Sequence, residues 1–128
     1  MEIFIPGNVP SSKNSKTWTG KFLISSPTTQ RYKKATEHYF MLYKRSYKKL
    51  FGNDYPIKVG LYFIRDSKRR FDYINACQIV ADLMVKYGWI EDDSADYFIP
   101  VFLGYHVDKK KAGIIIKPIL AYPMWSPD

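Results

Sequence analysis

The stretch from Lys68 to Asp96, KRRFDYINACQIVADLMVKYGWIEDDSAD, holds the residues best suited to chemistry. If Asp72 starts a helix, then Asn75, Gln78, Asp82 and Lys86 follow at spacings of three or four and share one face. The opposite positions are Ile79, Val80, Leu83, Met84 and Val85, an apolar body for that helix. Gly88 breaks the pattern, and Trp89-Ile90 lead into Glu91-Asp92-Asp93, which an antiparallel return can carry back to the same side. Clustered carboxylates repel one another unless a cation sits among them. Mg²⁺, or Mn²⁺ in its place, prefers a few carboxylate oxygens completed by water and substrate phosphate. Such an ion polarises a phosphodiester, lowers the pKa of an attacking water and stabilises the leaving oxygen. Lys68, Arg69 and Arg70 directly precede Asp72 and suit a phosphate backbone. Taken singly, each feature also has an ordinary meaning: Asp72 as a helix cap, Glu91-Asp92-Asp93 as an acidic turn, and the polar stripe as a solvated face.

Charge supports the nucleic-acid reading. The 128-residue chain carries a net charge of +8 with a pI near 9.5, which favours nucleic acid or an anionic surface. The charge is also segregated. Residues 13–70 hold 15 Lys or Arg against 3 acids, whereas residues 71–96 hold 6 acids against Lys86. A basic body with a compact acidic segment suits a nuclease, because the bases hold phosphates and the acids hold a metal. At 46% hydrophobic residues the chain can bury a core as one domain over 1–128. The single Cys77 cannot form an internal disulfide and reads as core filler, which points to a reducing, cytoplasmic setting. The opening Met1-Glu2-Ile3-Phe4-Ile5-Pro6 is unlike a signal peptide, and no apolar run spans a bilayer, so no membrane partner is expected.

The elements that must position these residues are legible from periodicity. Ile3-Phe4-Ile5 reads as a strand, residues 7–21 as a loop, and Phe22-Leu23-Ile24 as a second short strand. Ser26-Pro27 is a helix start, and Tyr32, Ala35, Tyr39, Leu42, Tyr43, Tyr47 and Leu50 recur at helical spacing until Gly52. Ile57, Val59, Leu61 and Phe63 alternate as a strand that leads into a polar turn, Arg65 to Arg70. The second helix runs from about Asp72 to Tyr87. Residues 97–107 and 113–120 read as strands joined by a turn near 108–111, and the tail 122–128 as irregular. The sum is a single α+β domain with two main helices against one sheet.

This arrangement resembles the RusA-type Holliday-junction resolvases. The residues that carry the resemblance are Arg70-Phe71-Asp72-Tyr73-Ile74-Asn75, then Ala81-Asp82-Leu83-Met84, then Gly88-Trp89-Ile90-Glu91-Asp92-Asp93-Ser94. The opening strand, Pro6-Gly7 and Pro10-Ser11-Ser12-Lys13-Asn14 also match, as does the strand over 57–64, so the likeness spans most of the chain. The resemblance implies a RusA-like mixed sheet and a homodimeric, Mg²⁺-dependent endonuclease, often encoded by phages and prophages, acting on branched DNA in recombination and repair. By the same likeness Asp72 and Asp93 are catalytic and metal-binding, Asp92 is their partner, and Asn75 is the motif Asn. Two positions depart from the pattern. Ile74 stands where the motif has its second Asp, and Gln78 stands where it has a Lys. Asp82 is a poor substitute ligand, since ten residues at ~1.5 Å rise place it about 15 Å from Asp72. Asp92 or Glu91 is the better candidate to complete the site.

An active enzyme of this kind would hold DNA with Lys68, Arg69, Arg70, Asn75 and Gln78, together with Lys13, Asn14 and Lys16 from the loop. Phosphate contacts carry no sequence code, so selectivity would come from shape and dimer geometry. The alternatives are an inactive relative that binds branched DNA as an accessory factor, and a single-strand or RNA-binding module using the many aromatic residues. Those at positions 32, 39, 43 and 47 fall at core spacing, which argues for packing. His38 and His106 are isolated, which leaves too few ligands for zinc.

Overall fold

The computed structural model describes residues 1–11, 16–18 and 23–119. A four-stranded mixed sheet carries the domain, built from β1 (Ile3–Pro6), β4 (Ile57–Arg65), β5 (Phe98–Val107) and β6 (Gly113–Pro118) in the order β1-β6-β4-β5. β2 (Lys16–Trp18) and β3 (Leu23–Ser25) form a separate antiparallel pair. The expected loop over 7–21 therefore contains a strand, because Lys16–Trp18 finds a backbone partner in Leu23–Ser25 that periodicity alone does not reveal.

β4 is the central strand. Val59, Leu61 and Phe63 are fully buried, and each such side chain contributes roughly 1.5–3 kcal/mol. The inward register continues one step further than the sequence reading allowed: Arg65 belongs to the strand and is 5% exposed, so the polar turn starts after it. β4 and β5 run parallel, a geometry that requires a crossover, and α3 (Tyr73–Lys86) provides it. Opposite the Leu61/Tyr62 step the register skips Leu103, and Gly104 takes φ +121° at this bulge.

The first long helical pattern divides into α1 (Pro27–Leu42) and α2 (Lys44–Phe51), giving three helices rather than two. Ser26 caps α1 by accepting from the Thr29 amide at 3.2 Å, as its sequence position implies. Tyr43 leaves helical geometry and breaks the run. The buried stripe of α1 is Thr29, Tyr32, Thr36 and Phe40, not the Tyr32-Ala35-Tyr39-Leu42 face. Ala35 and Leu42 are exposed instead. Thr36 can be buried because its hydroxyl donates to the Tyr32 carbonyl at 2.8 Å. α3 buries Ile79, Val80, Leu83 and Met84 as its apolar face predicts, adds Ala76 and Ala81, leaves Val85 half-buried, and Gly88 ends it at φ +78°. Cys77 is half-buried there, and its burial pushes the thiol up to about 11, consistent with an inert packing role. No helix among the described residues is long and apolar enough to cross a membrane.

Trp89 joins the helices. It is fully buried, stacks on Tyr47 at 4.9 Å and packs on Phe40 at 5.1 Å between ring centroids. Its indole N–H donates to the Phe40 carbonyl at 2.7 Å. Trp89→Ala removes both the packing and the donor, and is expected to cost about 3–5 kcal/mol in urea unfolding. A loss below about 1 kcal/mol would show that the ring is not a structural anchor.

Candidate active site

The α3 N-terminus places Asp72. It occupies the capping position, yet its carboxylate makes no capping hydrogen bond to the helix. Instead it accepts from the Asn75 side-chain amide at 3.4 Å. The simple helix-cap role for Asp72 is thereby set aside. Asp72 lines a cavity of about 580 Å³ together with Arg69 and Arg70 from the turn after β4. Lys68 is exposed on that turn and is not part of the cavity wall.

One and a half turns along α3, Gln78 donates through one amide nitrogen to both Asp82 and Asp93, each at 2.9 Å. The acidic return therefore does fold back onto the helix, as the Gly88 break suggests. Asp93 makes the contact, and Asp92 stays exposed. Asp82 also pairs with Lys33 at 3.9 Å. Its distance from Asp72 thus does not exclude it from the acidic cluster, since it meets Asp93 across Gln78. Glu91 instead acts on Tyr97: its carboxylate, with the nearby Asp96 and Asp92 charges, holds the Tyr97 hydroxyl above its ordinary range.

Asp93 and Gln78 line a second, smaller groove of about 230 Å³ with Ile74, Cys77 and Phe102. Asp72 and Asp93 consequently face different depressions. Among the described residues, no group of three His, Cys, Asp or Glu side chains is placed to hold a metal. The expected set of Asp72, Asp92 and Asp93 is thus not such a group, and Ile74, 67% exposed, lines the groove beside Asp93. The donor chemistry of Asp72 and Asp93 still suits a hard cation bound through one or two carboxylates and completed by water and substrate phosphate. It does not form a carboxylate cage.

Lys16 opens β2, while Lys13 and Asn14 lie outside the described residues. The residue the sequence reading missed is Arg65. Its guanidinium donates to the Val9 carbonyl and, at 3.2 Å, to the Ser11 hydroxyl, and it lies 4.5 Å above the Phe71 ring. A signal was present: Arg65 falls on the same alternating positions as Ile57, Val59, Leu61 and Phe63, which marks it as inward-facing.

Gln78→Leu removes the donor shared by Asp82 and Asp93. Faster hydrogen exchange is expected at amides 91–95, with global stability changed by less than about 1 kcal/mol because the contact is exposed. Unchanged exchange would mean that the acidic return is held by Trp89 and Ile90 alone. No protein-family model matches the chain, and no curated protein matches it.

Proposed function

We propose that the chain is a divalent-metal-dependent, structure-selective endodeoxyribonuclease that nicks branched DNA, the activity of the RusA-type resolvases it resembles. The observation that carries this reading is the shared cavity of Asp72, Arg69 and Arg70, with the Asp72 carboxylate uncommitted to helix capping. Arg69 and Arg70 bind the phosphate backbone, and Lys68 extends that surface outward. Asp72 would hold Mg²⁺ or Mn²⁺ together with water and substrate phosphate, with Asp93 offering a second carboxylate from the separate groove along α3, and the ion when bound would supply charge neutralisation and an acidified water. Asn75 orients Asp72 through the 3.4 Å amide contact, and Gln78 fixes Asp93 in the same way.

A homodimer fits this activity, since resolving a junction takes two symmetric nicks. β5 supports it. This ten-residue strand lies at the edge of the sheet and exposes Phe102, Leu103, Tyr105 and Val107. A long apolar edge strand is a template for pairing with another chain.

A second reading, an accessory protein that binds branched DNA without cutting it, is favoured by one specific observation. The Gln78 amide already donates to Asp82 and Asp93, and Ile74 lines the groove beside Asp93, so both carboxylates have a hydrogen-bond partner without a cation.

Cleavage of a synthetic four-way junction in Mg²⁺ or Mn²⁺, beside linear duplex, separates the two. Paired nicks that fall at least 100-fold in Asp72→Asn and Asp93→Asn support the endonuclease. Tight junction binding without nicks supports the accessory protein, and no preference for the junction sinks both. In the same assay Ile74→Asp, which adds a carboxylate beside Asp93, is expected to raise both Mg²⁺ affinity and nicking by at least 10-fold. For the dimer, sedimentation of the wild type at twice the chain mass and of Tyr105→Lys at the chain mass is expected. A wild-type chain that sediments at its single mass would refute the β5 interface.

A further inference from the structure

The cavity at Asp72 is larger and more basic than the motif around Asp72 accounts for. Arg65, Arg69 and Arg70 stand on its wall against the single carboxylate of Asp72. Among the described residues no carboxylate forms an ion pair with any of these three arginines. Arg65 is the telling member. It is 5% exposed, its partners are neutral groups, and its Nε has no hydrogen-bond partner. Burial pushes its guanidinium below the ordinary range, with Asp66 opposing. A buried cation with no carboxylate in contact is costly, and an anion in the adjoining cavity would relieve that cost.

The first turn of α1 forms another part of the wall, and it offers what an anion needs. Pro27 has no amide hydrogen, and the Thr29 amide is taken by Ser26. That leaves the Thr28 amide as a donor at the positive end of a 16-residue helix with no acid in its first turn. The Thr28 and Ser26 side chains line the same cavity. Its volume of about 580 Å³ exceeds what a bare phosphate fills and falls in the ~300–1,000 Å³ range of small-ligand sites.

We propose that this cavity is a phosphate-ester subsite. It seats one nucleotide of a DNA strand with its phosphate between the α1 N-terminus and Arg69, while Arg65 supplies fixed positive charge from behind. The assignment rests on the nucleic-acid reading above for the source of the phosphate, and on the cavity alone for its chemistry.

The test measures thermal unfolding of the full chain in inorganic phosphate against chloride at equal ionic strength. It also measures anisotropy of a labelled oligothymidylate that has internal phosphodiesters and no terminal phosphate. At phosphate roughly ten times its Kd, the wild-type midpoint is expected to rise by about 5 °C. Thr28→Glu is the decisive variant, because an acid in the first turn favours the helix while repelling an anion. It is expected to unfold at or above the wild-type temperature without ligand, to lose the phosphate shift, and to bind the oligothymidylate at least 10-fold more weakly. Arg69→Ala is expected to show the same loss. Binding of both probes that is unchanged in Thr28→Glu would overturn the subsite. Phosphate binding without oligothymidylate binding would overturn the strand as its source and assign the cavity to a free phosphate ester. Junction nicking that persists where neither probe binds would discard the subsite and leave the endonuclease. Probe binding in a chain that nicks nothing would do the reverse.

Discussion

The burial of Trp89 between α1 and α2 is the constraint on which the acidic half of the site depends. The residue follows the Gly88 break directly, so whatever fixes the indole also fixes where the chain goes next. The ring is held on two sides by Phe40 and Tyr47, and its one polar atom is satisfied by the Phe40 carbonyl. An aromatic residue anchored in this way has little freedom to rotate, because any displacement loses both the stacking and a buried hydrogen bond. Ile90 is buried beside it, and the three acids then emerge into solvent at a set distance from α3. Asp93 reaches Gln78 because the turn before it cannot drift.

The basic half depends on β4. Its alternation delivers Arg65 inward at the end of the strand, and the neutral contacts of that guanidinium tie the segment after β1 to the start of the polar turn. Asn8 adds a second tie by accepting from the Asp66 amide at 2.9 Å. The wall of the cavity thus comes from three separate parts of the chain: the loop after β1, the first turn of α1, and the turn that carries Arg69 and Arg70. The interior positions of β4 make a cavity wall as well as a core.

Between these halves lies α3, whose exposed face carries the expected amide at Asn75 and a second amide, Gln78, where the resemblance leads one to expect a lysine. Asn75 and Gln78 each hold a carboxylate. An amide fixes a carboxylate's orientation without neutralising it, whereas a lysine would do both. Ile74 adds apolar surface at the same place. The arrangement leaves Asp72 beside the basic cavity and Asp93 in the apolar groove, and a divalent cation would have to be shared with water and substrate phosphate rather than enclosed by protein.

The sequence by itself determined most of the element types and the buried faces of β4 and α3. The period-2 run at 57–63, the helical pattern from 73 to 86, the Ser26-Pro27 start and the Gly88 stop all appear where local chemistry places them, because backbone preference and side-chain periodicity act over a few residues. The sequence also held the charge segregation and the polar stripe. Tertiary structure decided the rest. Only packing against Trp89 selects Phe40 over Tyr39 as the buried residue of α1, and only pairing with β3 turns part of the expected loop into β2. Spacing along α3 shows that Asp82 and Gln78 are neighbours, but not that Asp93 joins them, since that contact spans fifteen residues and a helix end. The separation of Asp72 from Asp93 into two depressions, and the convergence of Arg65 with the start of α1, are set by how strands and helices stack. A linear pattern specifies which face a residue occupies, and the packing of that face against others specifies what it meets.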